Sequence, residues 1–155
     1  MKHYEKDGIL IKKDLILPNI KQLEKGVAIT ECVQLIPCNP CVDSCPVNAI
    51  SMKDINAPPI VNYNECTGCG KCVGVCPGLA IFTLKINDSK AEITLPYEFH
   101  PIPKKGDIVF ALNRTGEIVD KGLIKKVRKN EKTAIITIEV NKELIYDVRN
   151  IKPIN

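Results

Sequence analysis

Residues 66–77 read Cys66-Thr67-Gly68-Cys69-Gly70-Lys71-Cys72-Val73-Gly74-Val75-Cys76-Pro77. Three cysteines, each two residues from the next, let a tight loop wrap three iron corners of one [4Fe-4S] cubane. The fourth, followed by proline, falls on the next turn and points elsewhere. Gly68, Gly70 and Gly74 suit such wrapping, because a residue without Cβ lets the backbone approach inorganic sulfide closely. Zinc sites also use Cys-x-x-Cys, but as two separated pairs. A triplet closed by Cys-Pro predicts iron and sulfide instead.

A second copy of the unit precedes it. Cys32, Cys38, Cys41 and Cys45 are followed by Pro46, and the last three repeat the later spacing. Cys45-Pro46-Val47-Asn48-Ala49-Ile50 and Cys76-Pro77-Gly78-Leu79-Ala80-Ile81 are the same phrase, 31 residues apart. Strand, cysteine loop, short helix and returning strand are expected twice, packed as a pseudo-two-fold pair on a shared core. Val47, Ile50, Val61, Val73, Val75 and Ile81 are expected to be core and to keep the clusters dry. Tyr63 and Phe82 lie close by in sequence and are expected to be packing residues before electron relays.

Here the chain resembles the two-cluster bacterial-type ferredoxin family, over residues 27–86. In that family the last cysteine of each run ligates the other cluster. The resemblance therefore implies two [4Fe-4S] clusters: Cys32, Cys38, Cys41 and Cys76 for one, and Cys66, Cys69, Cys72 and Cys45 for the other. Eight cysteines fill eight positions. The chain departs from the family between Cys32 and Cys38, where five residues stand in place of two. The extra three must bulge. If Cys32 does not reach its cluster, a three-iron form or an open iron site results.

The flanks predict a division of the chain. Residues 1–26 form an N-terminal arm: apolar residues from Ile9 to Leu17 around a charged break, expected as short strands or an extended arm ended by Pro18, then a short helix over 20–25 capped by Asn19 and closed by Gly26. Residues 27–95 form the dicluster unit and include a hairpin, 82–86 against 91–95. Residues 96–106, with three prolines by position 103, read as a stiff linker. Residues 107–155 read as strands, with a bulge at Gly122, a charged turn over 128–132 and a last strand over 144–148. The fold class expected is α+β: a ferredoxin-like (βαβ)2 domain plus a small SH3-like β-barrel.

Charge follows the same division. Residues 1–100 carry 10 Lys against 11 Asp and Glu, whereas residues 101–155 carry 12 Lys and Arg against 7. Lys125, Lys126, Arg128, Lys129 and Lys132 make a basic cluster. A solvated hairpin tip is its first reading and protein docking its second. Nucleic acid is disfavoured, because Trp is absent and no aromatics interleave the basic residues. No apolar run reaches the roughly 20 residues that span a bilayer. The first residues lack a signal-peptide core, so reduced thiolates in the cytoplasm are expected rather than disulfides.

No catalytic triad, nucleotide loop or carboxylate pair is present, so chemistry on a substrate is expected in another subunit. Glu31-Cys32, Ile36-Pro37-Cys38-Asn39-Pro40-Cys41, Cys76-Pro77-Gly78-Leu79-Ala80-Ile81-Phe82 and Pro96-Tyr97-Glu98-Phe99 are similar to the small iron–sulfur subunit of FAD-dependent amino-acid or opine dehydrogenases of the proline, hydroxyproline and sarcosine type. That resemblance implies flavoprotein partner subunits, with FAD held there, and a path for single electrons from flavin to an acceptor. A free ferredoxin and a nucleic-acid-binding protein with structural clusters are the alternatives.

Overall fold

The computed structural model describes residues 1–154. Helices are few and short: α1 (Tyr4–Asp7), α2 (Ile20–Lys25), α3 (Pro40–Ser44) and α4 (Lys71–Val75). Nine strands carry the rest: β1 (Val27–Thr30), β2 (Ile50–Ser51), β3 (Ile60–Val61), β4 (Ile81–Asn87), β5 (Lys90–Tyr97), β6 (Ile108–Leu112), β7 (Ile118–Asn130), β8 (Thr133–Asn141) and β9 (Asn150–Pro153). An α+β class fits. Among the described residues no helix is long and apolar enough to cross a membrane.

Helix α2 follows its sequence signals closely. Gln22 N–H donates to Asn19 Oδ1 and Asn19 N–H to Gln22 Oε1, both at 2.9 Å, a reciprocal cap. Gly26 ends the helix at φ +93°. Leu23 is the face it buries. The arm before it is not strand: a 3-10 turn spans Lys12–Asp14. Asp14 accepts the Ile11 N–H at 2.8 Å, so the charged break satisfies its own backbone locally.

The incoming strand of each cysteine unit pairs with the returning strand of the other: β1 with β4, and β3 with β2, both antiparallel. The two halves therefore exchange backbone hydrogen bonds as well as burying side chains together.

Residues 107–154 do not close into a barrel of their own. Strands on both sides of residues 96–106 belong to one seven-stranded sheet, in the order β1-β4-β5-β8-β7-β6-β9. The long β5–β8 pairing, Lys90↔Asn141 to Tyr97↔Ala134, carries the sheet past that segment. Pro96 itself is a strand residue. Beyond Thr94 strand β4 no longer pairs, so one side of Pro96 is an open edge and its missing N–H deprives no neighbour.

Other tail expectations shift for similar reasons. The register of β7 slips between Ile124 and Lys126 against β8, and between Ile118 and Asp120 against β6. Gly122 is required instead by close packing, since a Cβ there would stand 2.5 Å from Ile138 Cδ1. Strand β7 runs on to Asn130, so the turn shrinks to Glu131 and Lys132. A 3-10 turn begins at Lys142, and the last strand lies later, at Asn150–Pro153.

Alternation along these strands makes two cores. Phe82, Leu84, Ile93, Leu95, Ile136 and Ile138 belong to the larger, which the arm covers with Leu15 and Leu17. Ile81 and Ile135, one residue out of step, turn the other way and join Val61, Val73, Cys41, Cys66 and Cys72 in the smaller.

Candidate metal centre

The repeated Cys-Pro phrase has a repeated geometry. Cys45 Sγ accepts the Ala49 N–H at 3.2 Å, and Cys76 Sγ accepts the Ala80 N–H at 3.4 Å. In each case the residue before the alanine turns left-handed: Asn48 at φ 54° and Leu79 at φ 53°. Asparagine tolerates that region, but leucine is rarely found there. The turn is thus imposed by the fold around the sulfur.

Burial pushes the Cys72 thiol up to about 12, aided by the charges of Cys66, Cys69 and then Cys45. Those four sulfurs, with Ala28, Val47 and Ile50, also line one cavity. Cys66 Sγ accepts N–H groups from Ala28 at 3.3 Å and Gly68 at 3.5 Å. Burial likewise raises Cys41, aided by the charges of Cys76 and then Cys38. Burial also acts to raise Cys45, but the N–H groups of Ala49 and Val47 outweigh it and hold this thiol low. Each group thus gathers a cysteine from the other half of the repeat. Thiols that raise one another's pKa are relieved when a cation takes their protons' place, so the donor set fits an iron–sulfur cluster. Among the described residues no group of His, Cys, Asp or Glu closes on a single metal ion. A cubane spreads its four thiolates around a larger object, so that finding is compatible with a cluster.

Cys32 is half-buried, and its N–H donates to Thr30 Oγ1 at 3.3 Å. Glu31 before it donates its N–H to the Ala80 carbonyl at 2.8 Å. Ala80 is the residue whose own N–H meets Cys76 Sγ, so the backbone brings Cys32 beside the turn of Cys76. Cys38 is fixed by its N–H to the Ile55 carbonyl at 3.1 Å.

The Glu31 side chain is clamped by two cations. Arg114 Nε donates to Oε1 at 2.6 Å and Arg149 Nε to Oε2 at 2.5 Å. Only 7% of the Glu31 side chain is exposed, 12% of Arg114 and 4% of Arg149. Burial acts to raise the Glu31 carboxyl, but the Arg114 and Arg149 guanidiniums outweigh it and hold the pKa below the ordinary value. Arg149 also donates to the Ile145 and Val148 carbonyls and lies 5.3 Å from the Phe82 ring centre. Phe82 thus packs in the larger core, on the face away from the cysteine core. Tyr63 donates its hydroxyl to the Ile16 carbonyl, tying the arm down.

Two features had no sequence signal as site residues. Lys71 lines the cavity of the second cysteine group. Arg128, 57 positions after Lys71, reaches the same loop: a Cβ on Gly70 would stand 3.2 Å from Arg128 Nη2. The basic run marked Arg128 as charged, but nothing in it named Gly70 as neighbour.

Residues 30–80 match the family model described as a 4Fe-4S dicluster domain. The chain is 47% identical over 47 residues to the polyferredoxin-like subunit of an aliphatic sulfonate oxidoreductase from Pyrococcus furiosus, covering 30% of this chain and 27% of that protein. It is 47% identical over 58 residues to ferredoxin-type protein NapF of Haemophilus influenzae, covering 36% and 31%. An uncharacterized ferredoxin of Methanocaldococcus jannaschii is 49% identical over 43 residues, 28% of this chain and 27% of that one. The chain thus spans less than a third of the length of each of these relatives. No solved structure matches significantly. These similarities support a ferredoxin-type 4Fe-4S dicluster domain, with an iron–sulfur electron-transfer role, in the cysteine-bearing third of the chain.

Proposed function

We propose that the chain is the electron-transfer subunit of a flavoprotein dehydrogenase, carrying single electrons between FAD in a partner subunit and an acceptor. One [4Fe-4S] cluster would be held by Cys32, Cys38, Cys41 and Cys76, the other by Cys66, Cys69, Cys72 and Cys45. The observation that carries this reading is the cavity lined by Cys45 together with Cys66, Cys69 and Cys72. The exchanged strand pairs β1–β4 and β2–β3 support it, because they hold the two halves close. A bound cubane accepts and releases one electron at a time, at a potential set by burial, charge and hydrogen bonds to sulfur. The chain contributes those settings. Ala28, Gly68, Ala49 and Ala80 aim N–H groups at sulfur, while Val61, Val73, Ile81 and Ile135 exclude water.

A subunit role is favoured over a free carrier by exposed Leu35 and Ile36 in the insertion after Cys32, with Ile55 close to Cys38. Apolar side chains left in water beside a redox site suit a lasting interface. One relative is itself described as an oxidoreductase subunit. Cysteines at ligand spacing suit a reducing compartment, the cytoplasm.

Iron and sulfide analysis of anaerobically purified protein tests the centre. About eight irons per chain are expected, and Cys45→Ser should lose the cluster of the second triplet while the first keeps its own. Iron far below that, or a Cys45→Ser protein that loses the first cluster instead, overturns the assignment. Co-purification of a yellow, FAD-containing protein tests the subunit reading, and a lone brown monomer refutes it.

A further inference from the structure

We infer that the β7–β8 hairpin and the Cys66–Cys72 loop together form a docking surface for an acidic-faced, one-electron protein that exchanges electrons at the Cys69 edge. The inference rests on the electron-transfer reading above and adds where, and to what chemistry, the chain presents its second cluster.

Cys69 is the exposed one of the eight cysteines among the described residues. A thiolate at the surface marks where a partner can come nearest the cluster. Helix α4 follows it directly and packs on the hairpin. A Cβ at Gly74 would stand 2.7 Å from Ile135 Cδ1 and 2.8 Å from Asn130 Nδ2. The hairpin tip is therefore fixed against the cluster loop.

Strand alternation puts Lys126, Arg128 and Asn130 on the face turned to α4, with Ile135 opposite Arg128. Lys71, Lys126, Arg128 and Lys132 are exposed, and no salt bridge engages any of them among the described residues. Lys125, by contrast, is paired with Glu139 at 3.4 Å. Exposed Glu131 at the tip, Glu98, which accepts the Thr133 hydroxyl at 2.7 Å, and Glu65 before the loop are carboxylates of this region, and Lys71, Lys126, Arg128 and Lys132 outnumber them. A one-sign patch around an exposed redox edge steers an oppositely charged partner into productive encounter, typically by 10-fold to 1,000-fold in rate.

The test uses two one-electron acceptors of opposite surface charge: plastocyanin, acidic, and cytochrome c, basic. Anaerobically reduced, cluster-loaded protein is mixed with each in a stopped-flow instrument, and the ratio of the two second-order rate constants is read. Lys126→Glu with Lys132→Glu, and separately Arg128→Glu, should lower the plastocyanin-to-cytochrome ratio about tenfold or more at low salt. The effect should collapse near 1 M salt, where the screening length is about 3 Å. Lys152→Glu, on the far edge strand β9, should change the ratio far less. An unchanged ratio in the hairpin variants, with visible absorption showing intact clusters, overturns the docking surface and leaves the electron-transfer reading standing. So does an equal shift from Lys152→Glu. Protein that binds no clusters at all sinks the electron-transfer reading instead.

Discussion

Replacing Glu31 by glutamine should destabilise the protein by breaking a buried ion triad. The carboxylate sits between two guanidiniums, and all three side chains are nearly out of water. Glutamine keeps the shape and removes the charge. Two arginines are then left facing each other, one of them 4% exposed with no bonded anion and only Asp147 acting on it from nearby. Removing one partner of a buried ion pair costs about 3–5 kcal/mol. For a chain of this size each kcal/mol moves the melting temperature by roughly 2–4 °C, so a drop of about 6–20 °C is expected.

The partners should not behave alike. Arg114→Met leaves Glu31 paired one-to-one with Arg149 and costs the hydrogen bonds to one charged donor, about 1.5–3 kcal/mol. Arg149→Met strips Glu31 of its more buried partner and orphans the Ile145 and Val148 carbonyls, so it should approach the glutamine variant in severity. Adding Arg114→Met to Glu31→Gln should cost less than the sum of the two, because the second change removes a stranded charge. Thermal unfolding of cluster-loaded protein, followed by far-UV circular dichroism with the visible band recorded alongside, gives the order. A Glu31→Gln loss below about 1 kcal/mol, where exposed pairs lie, or an Arg114→Met variant less stable than Glu31→Gln, refutes the reasoning.

Other perturbations test single contacts. Gly68→Ala should impair cluster assembly, because Gly68 holds φ +71° and a Cβ would press to 2.8 Å from the Gly26 carbonyl oxygen; a left-handed alanine alone costs about 1–2 kcal/mol, and iron per chain after reconstitution is the readout. Tyr63→Phe with Tyr146→Phe removes the hydroxyls that bond the Ile16 and Pro18 carbonyls. At about 1 kcal/mol each, the loss should speed proteolysis within residues 1–18 while the visible spectrum stays unchanged. Asn19→Ala should cost about 1 kcal/mol through the lost cap of α2, seen as a small fall in melting temperature with iron content intact.

What could be read from the sequence was local or periodic. The spacing 66, 69, 72, 76 is a short-range constraint on a loop, and its echo 31 residues earlier exposed the repeat. Asn19 and Gly26 announced a helix because caps act within one turn. Alternation showed β4, β5 and β8 as strands. It could not show that β5 pairs with β8 across more than thirty residues, because a strand's pattern fixes its faces and not its partner. Pro96 and its neighbouring prolines suggested a linker beginning at 96; the structure keeps Pro96 and Tyr97 in β5 and leaves 98–107 without helix or strand. Glu31 and Arg149, 118 positions apart, carry no local signature of their pairing.

The merged sheet changes what the basic tail is for. Ile135 on β8 shares a core with Cys66 and Cys72, and Arg128 on β7 stands where a side chain on Gly70 would meet it, 3.2 Å from the Cβ that glycine lacks. At the other end of the sheet's connections, Arg114 and Arg149 fix the residue before Cys32. Both cysteine groups therefore lean on residues more than 80 and more than 50 positions downstream of their own loops. Burial, nearby charge and hydrogen bonding set a cluster's potential, and here the last third of the chain supplies part of the first two. A change on the β7–β8 hairpin should therefore be felt at the second cysteine group, even though the hairpin itself carries no cysteine.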